Sequence, residues 1–200
     1  MSMFIDFIHR LITPGLLRAY RQHRSEKAFV PLKEATQIGI IADLRNIDHS
    51  NAMIQFARSL HRIDRKCHLF FLIPEKRKDL NVFDYEKNFP GSPVELVCQE
   101  ELNWLKLPRK LQITPFASHH FDILFYLETN PNFTLEYVLY HTRAKMTAGA
   151  SGLCNGLLDF AIELNENRDI NQLTENLLKY LQLINSKQEK QVPPTINKLF

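Results

Sequence analysis

Hydrophobic residues recur along this chain at two different periods, and the change from one to the other marks its elements. Phe4, Phe7, Ile8 and Leu11 stand at i, i+3, i+4 and i+7, one face of a helix. Thr13, Pro14 and Gly15 interrupt that face. Pro14 suits the first turn of a second helix reaching Lys27, so the segment reads as two short helices or one kinked helix. From Gln37 the spacing gives way to a continuous run, QIGIIAD, of the kind found in a strand covered on both faces. Asn46, Asp48 and Ser50 are suitable N-caps for the amphipathic helix that follows, with Ala52, Ile54, Phe56, Ala57, Leu60 and Ile63 on its apolar face. A second apolar run, residues 67–73 (CHLFFLI), closes at Pro74. Strand, helix and strand in so short a span make a βαβ unit.

Residues 75–115 are the least regular part of the pattern. A charged turn at 75–78 and a loop with two prolines and a glycine at 88–93 precede a short strand at 94–98. Pro108 and Pro115 then make residues 104–111 an irregular crossover rather than a regular helix. The alternation returns with a strand at 121–127 (FDILFYL), a helix at 131–141 and a strand at 145–150. A turn-rich loop at 151–156 leads into a further strand at 157–164. Leu173, Leu177, Leu178, Leu181 and Ile184 then mark an amphipathic helix over 170–184.

This order predicts an α/β fold: a three-layer, Rossmann-like, mainly parallel sheet with right-handed crossovers. The expected strand order is near 3-2-1-4-5, with a sixth strand added beside the fifth. Three divisions follow from it. Residues 1–33 form a basic, amphipathic N-terminal helical segment, 34–185 the Rossmann-like domain and 186–200 a flexible polar tail.

Composition agrees with one folded domain, since the chain has 200 residues, 44% of them hydrophobic and 24% charged. Cys67, Cys98 and Cys154 have no CxxC or zinc-like spacing, which excludes a disulfide framework and points to a reducing compartment. Cys67 and Cys98 read as small buried hydrophobes. No apolar run reaches the ~18–20 residues that cross a bilayer, and residues 1–12 lack the pattern of a secretory signal. The expected location is cytoplasmic, peripheral to a membrane at most. Charge changes the picture more: the net is only +3, yet Arg10, Arg18, Arg21, Arg24, Lys27 and Lys33 in residues 1–33 face just Asp6 and Glu26. A basic arm on a near-neutral body is suited to an anionic surface, whether RNA or lipid headgroups.

In an open α/β sheet, ligands bind beyond the carboxyl ends of the strands where the strand order reverses. That places a candidate crevice between residues 43–51, which offer Asp43, Arg45, Asn46, His49 and Ser50, and residues 128–132, which offer Glu128, Thr129 and Asn130. A helix N-terminus there offers N–H groups to an anion. The plainer reading has Asp48 or Ser50 capping the helix with Arg45 and His49 in water. No GxGxxG or Walker-type loop follows the first strand, which excludes the standard nucleotide sites. Gly149, Ser151, Gly152 and Gly156 match no phosphate motif and read as a turn between strands. His119 and His120 project in opposite directions from an extended chain, which leaves too few convergent ligands, with Asp122, for a zinc site. Ser118, Ser151 and Cys154 have no nucleophile motif around them, and Asp159 and Glu163 share a strand face without forming an acid/base pair. No metal or cofactor is expected.

The basic N-terminal helix, the IGIIAD strand, the segment Phe121-Asp122-Ile123-Leu124, and Ala144-Lys145-Met146-Thr147-Ala148-Gly149 followed by Leu158-Asp159 resemble an uncharacterised family of the Bacteroidota known as a domain of unknown function. The resemblance covers roughly residues 1–185 and implies a fold without assigning catalytic residues. More distantly, the order of strand, FDxL strand, helix and AxxxxG strand resembles the first domain of heptosyltransferase-type glycosyltransferases. Those enzymes bind their sugar nucleotide with a second domain, for which this chain has no room.

The functional expectation is a non-catalytic interaction or adaptor module. Its basic helix, with Arg10, Arg18, Arg21 and Arg24, would contact a protein, RNA or an anionic membrane surface, or a second copy of the chain. Phe4, Phe7, Ile8 and Leu11 would enter the interface of a lipid target. The alternative is a glycosyltransferase-like enzyme, or a remnant of one, binding a small anionic ligand at the crevice. A third arrangement packs the helix on the sheet and leaves its arginines in water.

Overall fold

A computed structural model describes residues 2–24, 27–45 and 47–184, without the side chains of Ser2, Ile47 and Asp48. Asn46 and the tail at 186–200 lie outside the described residues.

Six strands, β1 (Gln37–Asp43), β2 (Lys66–Ile73), β3 (Val94–Cys98), β4 (His120–Leu127), β5 (Arg143–Ala150) and β6 (Phe160–Ile162), pair entirely in parallel in the order β3-β2-β1-β4-β5-β6. The order reverses between β1 and β4. These strands lack strict alternation because both of their faces are covered: every residue of β1 after Gln37 is buried, as are the last five of β2, β4 and β5. Gly39 leaves room for its neighbours on β4, since a Cβ there would lie 2.7 Å from Cδ1 of its cross-strand partner Leu124 and 3.0 Å from the Phe121 ring.

The helices are α1 (Ser2–His23), α2 (Ile47–Arg62), α3 (Val82–Asn88), α4 (Lys110–Ala117), α5 (Phe133–His141) and α6 (Ile170–Leu183). α2 and α6 pack side by side on one face of the sheet, while α4, α5 and α1 cover the other. Alternate residues of one strand serve the two layers. Phe70 meets Phe116 of α4, whereas its neighbour Phe71 meets Phe89 at the end of α3.

Several elements depart from the sequence pattern. α1 is one helix running through Pro14 and ending at His23, short of Lys27. Pro14 removes the N–H that would bond the Arg10 carbonyl, a loss of about 3 kcal/mol in a helix interior. Tertiary packing offsets it: Leu16, Leu17 and Tyr20 hold the second half against the core, and His9, stacked on Phe133 and bonded to the Leu105 carbonyl, holds the first. The segment at 75–115 also holds more structure than its prolines suggest. α3 is capped by Asn81, whose side chain accepts from the Phe83 N–H at 3.2 Å. α4 continues through Pro115 because Ile113 and Phe116 are buried against the sheet. The last strand contracts to three residues, so Asp159 and Glu163 flank β6 instead of sharing its face.

Candidate functional site

The carboxyl ends of β1 and β4 bring together Asp43, Arg45, Glu128 and Asn132, residues separated by up to 89 positions. The Arg45 backbone N–H donates to Asp43 Oδ1 at 3.0 Å, and its Nε donates to both carboxylate oxygens at 2.8 and 2.9 Å. Arg45 Nη2 closes the ion pair on Oδ2. Asn132 Nδ2 adds a fourth donor direction, reaching Oδ2 at 3.1 Å, while its own Oδ1 caps α5 by accepting from the Leu135 N–H. Bonding to Asp43 raises the Arg45 pKa, with burial opposing it.

Glu128 is only 5% exposed and accepts the Asp43 N–H on Oε1 at 2.7 Å. Burial first, and the Asp43 charge second, push its carboxyl up to about 8. At neutral pH Glu128 therefore keeps its proton and adds no second buried charge at this point. Asp43 and Arg45 neutralise each other, so the polar groups at the switch point satisfy one another.

Other crevice residues fall elsewhere. Asn130 is exposed and contacts Thr129 Oγ1 at 3.4 Å, while His49 and Ser50 belong to α2 and not to the loop before it. Thr129 is buried, and its carbonyl accepts from Arg168 at 2.6 Å. Sequence reasoning bounded the crevice at Asn132 without giving that residue a role, and it missed Arg168. An asparagine just before a helical pattern is a cap signal and pointed to the first; nothing local marks the second, which lies 39 residues from its acceptor.

A groove of 640 Å³ opens beside this cluster, between α1 (His9, Arg10), Arg45, the first turn of α5 and the loop after β5. That loop is fixed: Gly152, Cys154, Asn155 and Gly156 all have positive φ, and Asn155 donates to Tyr140, which donates to buried Glu136. Burial raises the Glu136 pKa. Cys154 is buried, and burial carries its thiol well above the usual range, the opposite of an activated nucleophile.

At the opposite end of the sheet, Asp122 accepts from the Thr36 and Gln37 N–H groups at 2.8 and 3.1 Å and from Lys145 at 2.7 Å. Burial, which alone would raise it, is outweighed by these donors, and its pKa falls to about 2. His119 tilts onto His68 with ring centroids 4.0 Å apart, while His120 turns to Arg143. Among the described residues no three His, Cys, Asp or Glu side chains come together to hold a metal.

α1 presents two faces of opposite character. On its inner face His9 stacks on Phe133 at 4.0 Å and bonds the Leu105 carbonyl at 2.8 Å, and Tyr20 packs edge-on against Tyr140. Its outward stripe is apolar in the first half: Met3, Phe4, Phe7 and Leu11 are 86%, 61%, 57% and 63% exposed. Arg18 and Arg21 extend the exposed side towards the carboxyl end, with Arg10 beside them. Arg24 is not part of this surface. Its side chain is 4% exposed, pairs with Asp159 and reaches the Ala144 and Lys145 carbonyls, so it anchors the segment to β5 and β6. No helix among the described residues is long and apolar enough to cross a membrane.

A family model described as a family of unknown function (DUF6913) matches residues 13–184, and the chain belongs to that family. No curated protein and no solved structure matches it.

Proposed function

We propose that this DUF6913 member is a non-catalytic interaction module whose contact element is the outward face of α1. One observation carries the reading: three large apolar side chains, Phe4, Phe7 and Leu11, stand more than half exposed on one stripe of a helix whose other face is packed. Leaving such a stripe in water forgoes burial that is favourable by roughly 1.5–3 kcal/mol per side chain, and contiguous patches of this kind mark contact sites. Phosphate contacts alone would leave the stripe uncovered, which favours an amphiphilic surface over RNA. Three unpaired, buried thiols suit a reducing, cytoplasmic setting. A small anionic ligand at the crevice, the glycosyltransferase-like alternative, has against it that Arg45, a cation lying there, is spent on Asp43.

The test is a photo-crosslinking residue placed at position 7 in the full chain, in its native cell, with position 183 on α6 as the equally exposed control. Position 7 is expected to capture a defined target and position 183 not to. Combining the probe with Phe4→Ser and Leu11→Ser should abolish capture with the melting temperature unchanged. Equal capture from both positions, or capture indifferent to the serines, would refute the reading.

A further inference from the structure

We infer that the surface met by α1 is an anionic lipid bilayer, with Trp104 as a second point of insertion; this rests on the docking reading above. Trp104 lies on the loop between β3 and α4, is 67% exposed and lines, with Phe4, Pro74 and Leu102, one depression of 710 Å³. The loop is rigid. Asn103 Oδ1 accepts the Leu105 and Leu107 N–H groups at 2.8 and 3.1 Å, and Thr134 donates to the Lys106 carbonyl at 2.8 Å. His9 bonds the Leu105 carbonyl, so the loop is tied to α1 itself. A fixed geometry therefore presents an indole and a phenylalanine stripe to solvent on the same edge of the molecule. Tryptophan and phenylalanine beside lysine and arginine is the composition of elements seated at the headgroup boundary.

Charge selects an anionic surface. Lys76 and Lys106 rim the depression, and no salt bridge joins them, or Arg10, Arg18 and Arg21, to a carboxylate among the described residues. Glu75 and Glu100 line the same depression and balance its two lysines, so the excess of positive charge is that of α1. Glu75 accepts from Tyr85 at 2.7 Å and Glu100 accepts the Arg77 N–H at 2.9 Å, while Asp6 and Arg10 together line the groove on the other side of the helix, which leaves Arg18 and Arg21 as the outward cations. With its first half inserted, α1 would carry Arg18 and Arg21 at headgroup level, where each cation near an anionic leaflet adds to affinity.

The chain has a single tryptophan, so Trp104 reports its own insertion. The full chain is mixed with vesicles of phosphatidylcholine alone or with roughly a third phosphatidylserine. Expected results are flotation with the anionic vesicles only, a blue shift of Trp104 emission and quenching by brominated acyl chains. Phe4→Ser/Phe7→Ser/Leu11→Ser should weaken binding roughly tenfold or more, and Arg18→Gln/Arg21→Gln should remove much of its salt dependence. No flotation with anionic vesicles, or unchanged emission on flotation, overturns the bilayer inference. If the position 7 crosslink is then found on a protein, or light scattering shows a dimer lost in the serine variant, docking through α1 stands and the lipid assignment falls. If vesicles and crosslinker are both silent, the docking reading falls too.

Discussion

Glu128 illustrates how a single residue takes its chemistry from its surroundings. With an ordinary carboxyl pKa in the unfolded chain and about 8 in the fold, it binds its proton more tightly when folded. Its contribution to stability is complete below the unfolded value, declines as pH rises above it and is gone once pH passes the folded value. Between about pH 4.5 and 8 the slope is at most ~1.4 kcal/mol per unit. Glu128→Gln keeps an acceptor for the Asp43 N–H and cannot ionise, so the variant should lose this slope and melt higher than the parent at pH 8. Calorimetric melts at pH 5, 6.5 and 8 would check it, and parallel pH dependence in both proteins would count against a buried, protonated Glu128. The sequence placed Glu128 and Asp43 at the switch point from strand ends alone. It gave no sign that Arg45 would close on Asp43, because that depends on a turn only two residues long. Arg24 was misplaced for the converse reason: its partner, Asp159, is 135 residues away, and charge counted along the chain reads a buried anchor as a contact residue.

At the scale of elements, the runs that bury both faces were legible, and those governed by tertiary contact were not. Pro115 was read as a boundary and Pro14 as a boundary or a kink, and at both positions packing overrides local preference so that the helix continues. β6 was overextended because its pairing with β5 stops after three residues, a limit set by the partner strand and invisible in an apolar pattern. α1 retains a removable local cost. A Cβ at Gly15 would meet nothing within 4 Å, and glycine inside a helix is disfavoured by about 0.8–1.0 kcal/mol relative to alanine. Gly15→Ala should therefore raise the melting temperature by roughly 2–4 °C. A fall in a differential scanning fluorimetry trace would mean that the helix bends at this point in solution.

For the whole molecule, strand order, parallel sense and reversal between the first and fourth strands followed from the alternation of runs, since right-handed crossovers leave few other topologies. The status of the N-terminal segment did not follow. Amphipathicity leaves open a projecting arm or a helix packed on the sheet, and Tyr20, 1% exposed, belongs to the same core as the sheet. Removing residues 2–23 should cost about 3 kcal/mol or more, by analogy with truncation of a large buried aromatic. The remaining domain should unfold in one transition at least roughly 6 °C lower. An unchanged melting temperature would show the segment to be separable.

The anchoring of α1 also bears on synthesis. Its last turn is fastened by Arg24 to Asp159, which is translated 135 residues later, a delay on the order of ten seconds at ordinary elongation rates. Until Asp159 is made, α1 lacks this fastening and has only its contacts with Leu105, Phe133 and Tyr140, which are translated earlier.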